Sequence, residues 1–470
     1  MWQTDCHFLT RSGCNRFTMI ARRTAAIVLA AGHGTRMKST KPKVMHSIAG
    51  QPMVLRVLAT LRRAGIDQIC IVIGPDMDDL ASAVAPHKTV IQKDRLGTAH
   101  AALCTKDAFL DGFDDILVLN ADNPLIPENQ ITALLDARQG KSDPAVVVLG
   151  FNAAYPGPYG RMVCDTDGAL ARIVEAKDAN PEELTITLCS SGMMALDGRI
   201  AFDMLTKIDN KNAAGEYYLS DVISVAQSME RTCTAIEGNE ADLQGINSRA
   251  ELARAEAYVQ SQFRLSAMAG GATLVAPETV FFSFDTLVGQ DVMIEPNVIF
   301  GPNVQIADNV TIKSFCHLEG AIVASGAIVG PFARLRHGTV LGENVKIGNF
   351  VEVKNATFGT GAKANHLSYV GDSDVGQNAN IGAGTITCNY DGIFKWRTTI
   401  GEGAFIGSNS ALVAPVKIGD GAVVGAGSTI AKDVNNDALA VTRAPQREIK
   451  DWGRQTFVKK KALKAKGEKG

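Results

Sequence analysis

The stretch Ile400–Ile430, IGEGAFIGSNSALVAPVKIGDGAVVGAGSTI, carries an aliphatic residue at every sixth position: Ile400, Ile406, Leu412, Ile418, Val424 and Ile430, commonly followed by glycine. The same spacing runs through Val288, Ile294, Phe300, Ile306, Ile312 and Leu318. An amphipathic helix repeats every three to four residues and a half-buried strand every two. A period of six, held over two uninterrupted runs, is that of a parallel β-helix: each coil is three short strands and every sixth residue stacks inside. The second half of the chain is therefore read as a solenoid with an apolar stripe along its axis, expected to associate side by side as a homotrimer.

Toward the N-terminus the texture changes. RAELARAEAYVQSQFRLSAM, from Arg249, sets Leu252, Ala255, Val259 and Phe263 at helical spacing, and is read as a connecting helix. Before it, from Ala25 to about Phe151, the apolar runs AAIVLA, QICIVIG, DILVLNAD and AVVVLGF alternate with the helix-like segments PMVLRVLATLRRAG and GTAHAALCTKDAFL. That alternation predicts a parallel sheet covered by helices, an α/β fold whose ligands bind beyond the carboxyl ends of its strands. Residues 1–18 show no such pattern and are read as a disordered extension. The expected division is 1–249, a helical linker 250–270, and a β-helix 271–470.

Composition excludes several classes. The 470 residues, 46% of them hydrophobic, leave room for two or three domains. Lysine and arginine total 47 against 49 acidic residues, so bulk charge favours neither nucleic acid nor an anionic membrane. Nine cysteines, scattered from Cys6 to Cys388 without a Cys-x-x-Cys pair, read as reduced thiols rather than a disulfide framework or structural zinc site. The pair Arg22-Arg23 resembles an export signal, but the apolar run after it is short and is better read as a first strand. No segment approaches the roughly 20 apolar residues that span a bilayer. A cytoplasmic protein is expected.

LAAGHGTRMKST, from Leu29 to Thr40, follows that first strand and nearly matches two phosphate-binding signatures, failing both at Met37. Gly32 and Gly34 still let the backbone turn tightly and offer N–H groups to a ligand, and Arg36 adds a fixed cation. STKPKV supplies Lys43 behind a proline-stiffened turn, suited to balancing a triphosphate. In LVLNADNPLI, Asp122 ends a buried strand, where a carboxylate holds Mg²⁺ with one further oxygen ligand. The competing readings are a solvated lysine and an Asp-Asn-Pro turn.

In the solenoid, PFARLRHG, VEVKNA, KANHLSYVGD and NIGAGTITCNYDG break the repeat with Arg336, Lys354, His366, Tyr369, Asn380, Asn389 and Tyr390. His366 is the candidate general base, since a side chain with a reference pKa of about 6.5 is mostly neutral at pH 7 and accepts an amine proton. Nothing comparable distinguishes His33, His100 or His337.

LAAGHGTRM with PKV, QKDRLGTAHA, PYGRMV, IVEAKDA and GEYYLSD resembles the sugar-1-phosphate nucleotidyltransferases. In this order, and with the repeats behind them, the motifs closely resemble the bacterial bifunctional N-acetylglucosamine-1-phosphate uridyltransferase and glucosamine-1-phosphate N-acetyltransferase family. The resemblance runs from Ala25 nearly to the C-terminus and implies a Rossmann-like nucleotidyltransferase domain followed by a left-handed parallel β-helix. It implies a uridine site at Leu29, Ala30, Ala31 and Gly32, with Gln92, Gly97 and Thr98 also facing UTP. Gly160 and Glu175 would contact the sugar, as would Ser190 in CSSGM. Asp122 and Asn247 of GINSR would coordinate Mg²⁺. Two positions depart from the family pattern: Ala121 stands where glycine is usual, and Ser190 where asparagine is usual, so that Ser190 reaches the sugar through water.

For the solenoid, the resemblance implies that Arg336 and Lys354 hold the phosphate of glucosamine-1-phosphate, and Tyr369 and Asn380 its sugar. His366 would deprotonate the amine that attacks acetyl-CoA. Ala383, Asn389, Tyr390, Lys395, Ser408, Ala426 and Arg443 would line the coenzyme site, shared between subunits. The product, N-acetylglucosamine-1-phosphate, would then couple to UTP and release pyrophosphate. Two alternatives stand beside this reading: a nucleotidyltransferase whose β-helix is structural or regulatory, and a non-catalytic binding or assembly protein. The tail KKKALKAKGEKG reads as a solvated end.

Overall fold

A computed structural model describes residues 22–166 and 168–467. The extension expected over residues 1–18 lies outside the described residues. The chain divides into two compact units, one ending at Val259 and the other beginning at Gln260, the division falling within the helix Arg249–Ala269.

The first unit is built on a twisted sheet whose main strands are β1 (Thr24–Leu29), β2 (Gln68–Ile73), β3 (Lys88–Ile91), β4 (Asp115–Asn120), β5 (Val146–Asn152), β6 (Leu188–Asp197) and β7 (Cys233–Glu237). Their order is β7-β5-β6-β4-β1-β2-β3. β1 pairs in parallel with both β2 and β4, and β2 with β3. The alternating apolar runs thus form the parallel part of the sheet. β6, outside the span read as parallel sheet, runs antiparallel between β4 and β5, with a register break between Ser190 and Met193. Gly192, at φ 75, occupies that bulge. Each central strand is buried on both faces, which is why its residues read as continuous apolar runs. The centre of the sheet gathers the carboxyl ends of β1 and β4 side by side, where Leu29 pairs with Asn120. That is where the Gly32 loop and Asp122 emerge.

The second unit is a parallel β-helix. Ile294, Phe300, Ile306, Ile312 and Leu318 are buried, as are Ile400, Ile406, Leu412, Ile418, Val424 and Ile430; Val288, in the first coil, is partly covered. A second buried position, two residues earlier, takes small or β-branched side chains such as Val292, Val298, Val304, Ala404 and Ala422. It suits the narrow corner, where a larger side chain has no room. Three residues past many of the stacked side chains the chain turns with positive φ, at Asn297, Asn303 and Asn309 for example, residues whose short polar side chains tolerate that region. One corner breaks this rule with Phe315, Phe332 and Phe350, whose rings stack at 4.8 and 5.1 Å along the axis.

Many coils advance by 18 residues and others by 17, as between Asn349 and His366. One coil is interrupted by a hairpin in which Tyr390 bridges Lys395, so that twenty-five residues separate the paired Ile381 and Ile406.

Candidate functional site

In the first unit two adjoining hollows open at the carboxyl end of the sheet. One, of about 360 Å³, is lined by Leu29, Ala30, Ala31, Gly32, Lys43, Gln92, Gly97 and Thr98, with Arg95, Asn120 and Glu216 completing it. The other, of about 250 Å³, is lined by Gly160, Glu175, Ser190 and Asn247 among others. Thr98, Asn120 and Asp122 belong to both, so the hollows form one cleft that meets at Asp122. Arg36 is exposed on the short 3-10 turn Thr35–Met37 and does not line the cleft. The arginine that does is Arg95, whose Nε donates to Ala31 O at 2.8 Å. It lies inside QKDRLGTAHA, three residues past Gln92, and nothing but that position signalled it.

Local chemistry explains the placement. Gly34 turns with φ 61, and a Cβ there would fall 2.5 Å from Lys43 Cβ, so only glycine admits the lysine. Pro42 then opens the turn Lys43–Met45, aiming Lys43 at the strand ends. The Lys43 ammonium ion-pairs with Asp122 and donates to Asn247 Oδ1 at 3.0 Å. Two loops far apart in sequence therefore present two oxygens to one cation. They are tied together by Ile246 N–H donating to Asp122 O at 2.8 Å, while Glu251 accepts the Asn247 N–H at 2.6 Å.

Gln92 is almost fully buried, and its Nε2 faces Gly97 O at 3.0 Å and His100 Nδ1 at 3.1 Å. A carbonyl only accepts, so the amide nitrogen must face it and Oε1 is turned the other way. In the second hollow, burial pushes the Glu175 carboxyl up from its ordinary range, against the hydroxyl of Ser220, which donates at 3.2 Å. Asp221 is pushed up to about 6, by burial and then by Glu175, Asp209 and Asp178. Ser190 Oγ accepts the Gly192 N–H at 3.1 Å, a bond that holds the bulge.

In the second unit the ladder registers bring the candidate residues into columns. Ile347, Ala364, Ile381, Ile406 and Val424 are successive rung partners. Two residues beyond each stand Asn349, His366, Ala383, Ser408 and Ala426, at the same corner of five consecutive coils. The proposed base and three coenzyme positions thus share one edge, and Arg443 joins it by donating to Ala426 O at 2.7 Å. His366 Nδ1 donates to Asn349 Oδ1 at 2.8 Å, which leaves Nε2 as the free lone pair. Asn349 went unnoticed in the sequence because its partner is one coil away; the signal was a polar residue 17 positions before the histidine.

Across the adjacent face a second column runs up the axis. Arg336 and Lys354 occupy equivalent positions of neighbouring coils, each following a paired residue, Leu335 and Val353. Arg336 Nη1 donates to Glu352 Oε1 at 2.8 Å. Lys354 contacts Lys395 of the hairpin, and that neighbour lowers its pKa. Tyr369 OH lies 3.5 Å from Asn389 Nδ2. Asn380 stands on the strand Asn380–Ile381 leading into the His366 corner, and Tyr390 is exposed on the hairpin.

Fold and sites together define a two-part transferase: a nucleotidyltransferase cleft on an α/β sheet, and a left-handed β-helix of hexapeptide repeats. The family description MobA-like NTP transferase domain matches residues 26–182, and bacterial transferase hexapeptide (six repeats) matches 285–320, 320–355 and 397–432. The chain is 55% identical to the bifunctional protein GlmU of Paramagnetospirillum magneticum, over 95% of this chain and 100% of the relative. It is 53% identical to that of Azorhizobium caulinodans, over 92% and 97%, and 54% identical to that of Rhodospirillum rubrum, over 92% and 96%. The chain belongs to the GlmU family of bifunctional proteins. The relatives match both halves at full length and lend nothing to a merely structural β-helix or a non-catalytic protein.

Proposed function

We propose that the chain makes UDP-N-acetylglucosamine in two steps, acetylating glucosamine-1-phosphate in the β-helix and coupling the product to UTP in the N-terminal cleft. The observation that carries the second step is the Lys43 ammonium held by Asp122 and Asn247 where the two hollows meet. The ammonium lies at the junction of the two hollows, which supports a reading in which the reacting phosphate sits between nucleotide and sugar. Two converging oxygens also fit Mg²⁺, which keeps several waters and takes few protein ligands. Among the described residues no cluster of three His, Cys, Asp or Glu side chains offers a fuller cage.

Asp122 and Asn247 would hold the ion, which supplies charge neutralisation for the phosphates. Lys43 and Arg95 face the triphosphate, and Gln92 turns Oε1 toward the N3–H of a uracil. Glu175 and Ser190 face the sugar hydroxyls. In-line positioning and charge neutralisation then supply most of the rate, since phosphoryl chemistry asks little covalent work of the protein.

For acetyl transfer, Arg336 and Lys354 bind the sugar phosphate, Tyr369 and Asn380 orient the ring, and His366 Nε2 takes a proton from the amine as it attacks the thioester. Ala383, Asn389, Tyr390, Lys395, Ser408, Ala426 and Arg443 receive the coenzyme. His366, Ser408 and Ala426 lie exposed along one edge of a single solenoid, which suits a homotrimer whose neighbours complete the coenzyme site. The two activities are assigned to residues 1–249 and 271–470, joined by the linker 250–270. No helix among the described residues is long and apolar enough to cross a membrane, and small soluble substrates point to the cytoplasm.

The test is to incubate the protein with glucosamine-1-phosphate, acetyl-CoA, UTP and Mg²⁺ and follow thiol and pyrophosphate release separately. Thiol release should precede pyrophosphate release. Lys43→Ala should abolish the second signal and spare the first; loss of both, or of neither, refutes the assignment.

A further inference from the structure

Asp372 is a carboxylate buried within the β-helix, at a corner position with φ 46. It stands in a column with Asn355 one coil below and Asn389 one coil above, each 17 residues away. Asn355 Nδ2 donates to its Oδ1 at 2.5 Å, and Asn389 Nδ2 donates to its Oδ2. A carboxylate has only acceptors, so both amides must turn their nitrogens toward Asp372 and their carbonyl oxygens away from it. Neither Asn could be fixed in this sense by another amide or a hydroxyl, which offers donors as well.

The surroundings say what the arrangement serves. Lys354 is faced by Lys395, Asp372 and Arg336, and of these Asp372 alone is negative. Two adjacent ammoniums repel unless a nearby charge compensates them. Arg336 carries its own partner, Glu352, and the Asp372 charge acts in the sense that favours both ammoniums. A buried charge is retained in a solenoid corner only when it is hydrogen-bonded and compensated, and here it is both.

We propose that Asp372 is a positioning residue for acetyl transfer: accepting from both amides, it fixes Asn389 with its carbonyl oxygen turned toward the coenzyme site. Asp372 touches neither substrate. This inference rests on the acetyl-transfer site proposed above.

The test uses the full chain and the isosteric variant Asp372→Asn, with acetyl-CoA and glucosamine-1-phosphate varied in turn. Loss of the charged hydrogen bond that orients Asn389 should raise KM for acetyl-CoA by about tenfold or more. KM for glucosamine-1-phosphate should stay within about twofold, and uridylyl transfer by the same preparation should be unchanged. Equal changes in both KM values together with a lowered unfolding temperature would show a merely structural residue and overturn the proposal, as would wild-type kinetics. Asn389→Ala and Arg336→Ala separate the two layers of reasoning. If these leave acetyl transfer intact, the site reading itself fails. If they impair it while Asp372→Asn does not, the positioning role alone fails.

Discussion

Replacing Asn349 by alanine tests whether His366 works as an oriented base. The bond from His366 Nδ1 to Asn349 Oδ1, at 2.8 Å, fixes the tautomer that leaves Nε2 free to accept a proton. His366 itself should matter most: general base catalysis contributes about 10²- to 10⁴-fold, or roughly 3–5 kcal/mol of barrier. Asn349 contributes orientation only. A neutral hydrogen bond is worth about 0.5–1.5 kcal/mol net, or roughly 2- to 12-fold in rate. Because His366 is exposed and Asn349 half-buried in the single chain, water replaces part of the lost bond. The expected loss in kcat for Asn349→Ala is therefore about three- to tenfold. Both KM values should stay near wild type, and uridylyl transfer should not change. Asn349→Asp offers a carboxylate that favours the imidazolium, so the acid limb of the kcat profile should move up by about one pH unit or more. The assay is thiol release from acetyl-CoA at saturating glucosamine-1-phosphate, measured from pH 5 to 9. An Asn349→Ala variant as inactive as His366→Ala would refute an orienting role, and an unchanged rate with an unshifted Asn349→Asp profile would refute the pairing.

Two further outcomes follow from burial. Asp221, pushed up to about 6, lies above its unfolded value of about 3.9. The folded protein therefore holds a proton that the unfolded chain releases between those values, and the cost of the charged form is present above pH 6 and relieved as pH falls toward 4. Asp221→Asn should raise the unfolding temperature at pH 8, and the gain should shrink steadily and vanish below about pH 4; a gain independent of pH would show that charge is not the cause. Ile418 is fully buried and stacks between Ile400 and Val434 of neighbouring coils. Ile418→Ala should cost about 2–5 kcal/mol in denaturant titrations that follow the β-helix. A loss below about 1 kcal/mol would mean that the sixth-residue stripe is not the core.

How far the sequence could be read depended on whether the relevant distance is fixed along the chain or across it. The solenoid was legible because its buried stripe recurs every six residues wherever the coil is regular, so Ile400 to Ile430 announces itself without knowledge of any neighbour. The columns were not, because they depend on coil length, and that length runs from 16 to 25 according to the corner. His366 stood out by its own chemistry, while Asn349 and Asp372 gain meaning only from what lies one coil away. The same division holds in the first unit. Continuous apolar runs marked β1, β2, β4 and β5, but β6 runs antiparallel through a bulge at Gly192, and its sequence LCSSGMMALD carries no clean period. Asp122 could be placed at a strand end, yet its pairing with Lys43 spans 79 residues, and the Asn247 contact 204. Both sites are thus assembled from local signals, a strand end or a polar break in a repeat. Their partners are chosen by topology. A single-residue register shift in either unit would leave every motif intact and dissolve that unit's pairing, which is why the ladder registers, more than the motifs, carry the chemistry.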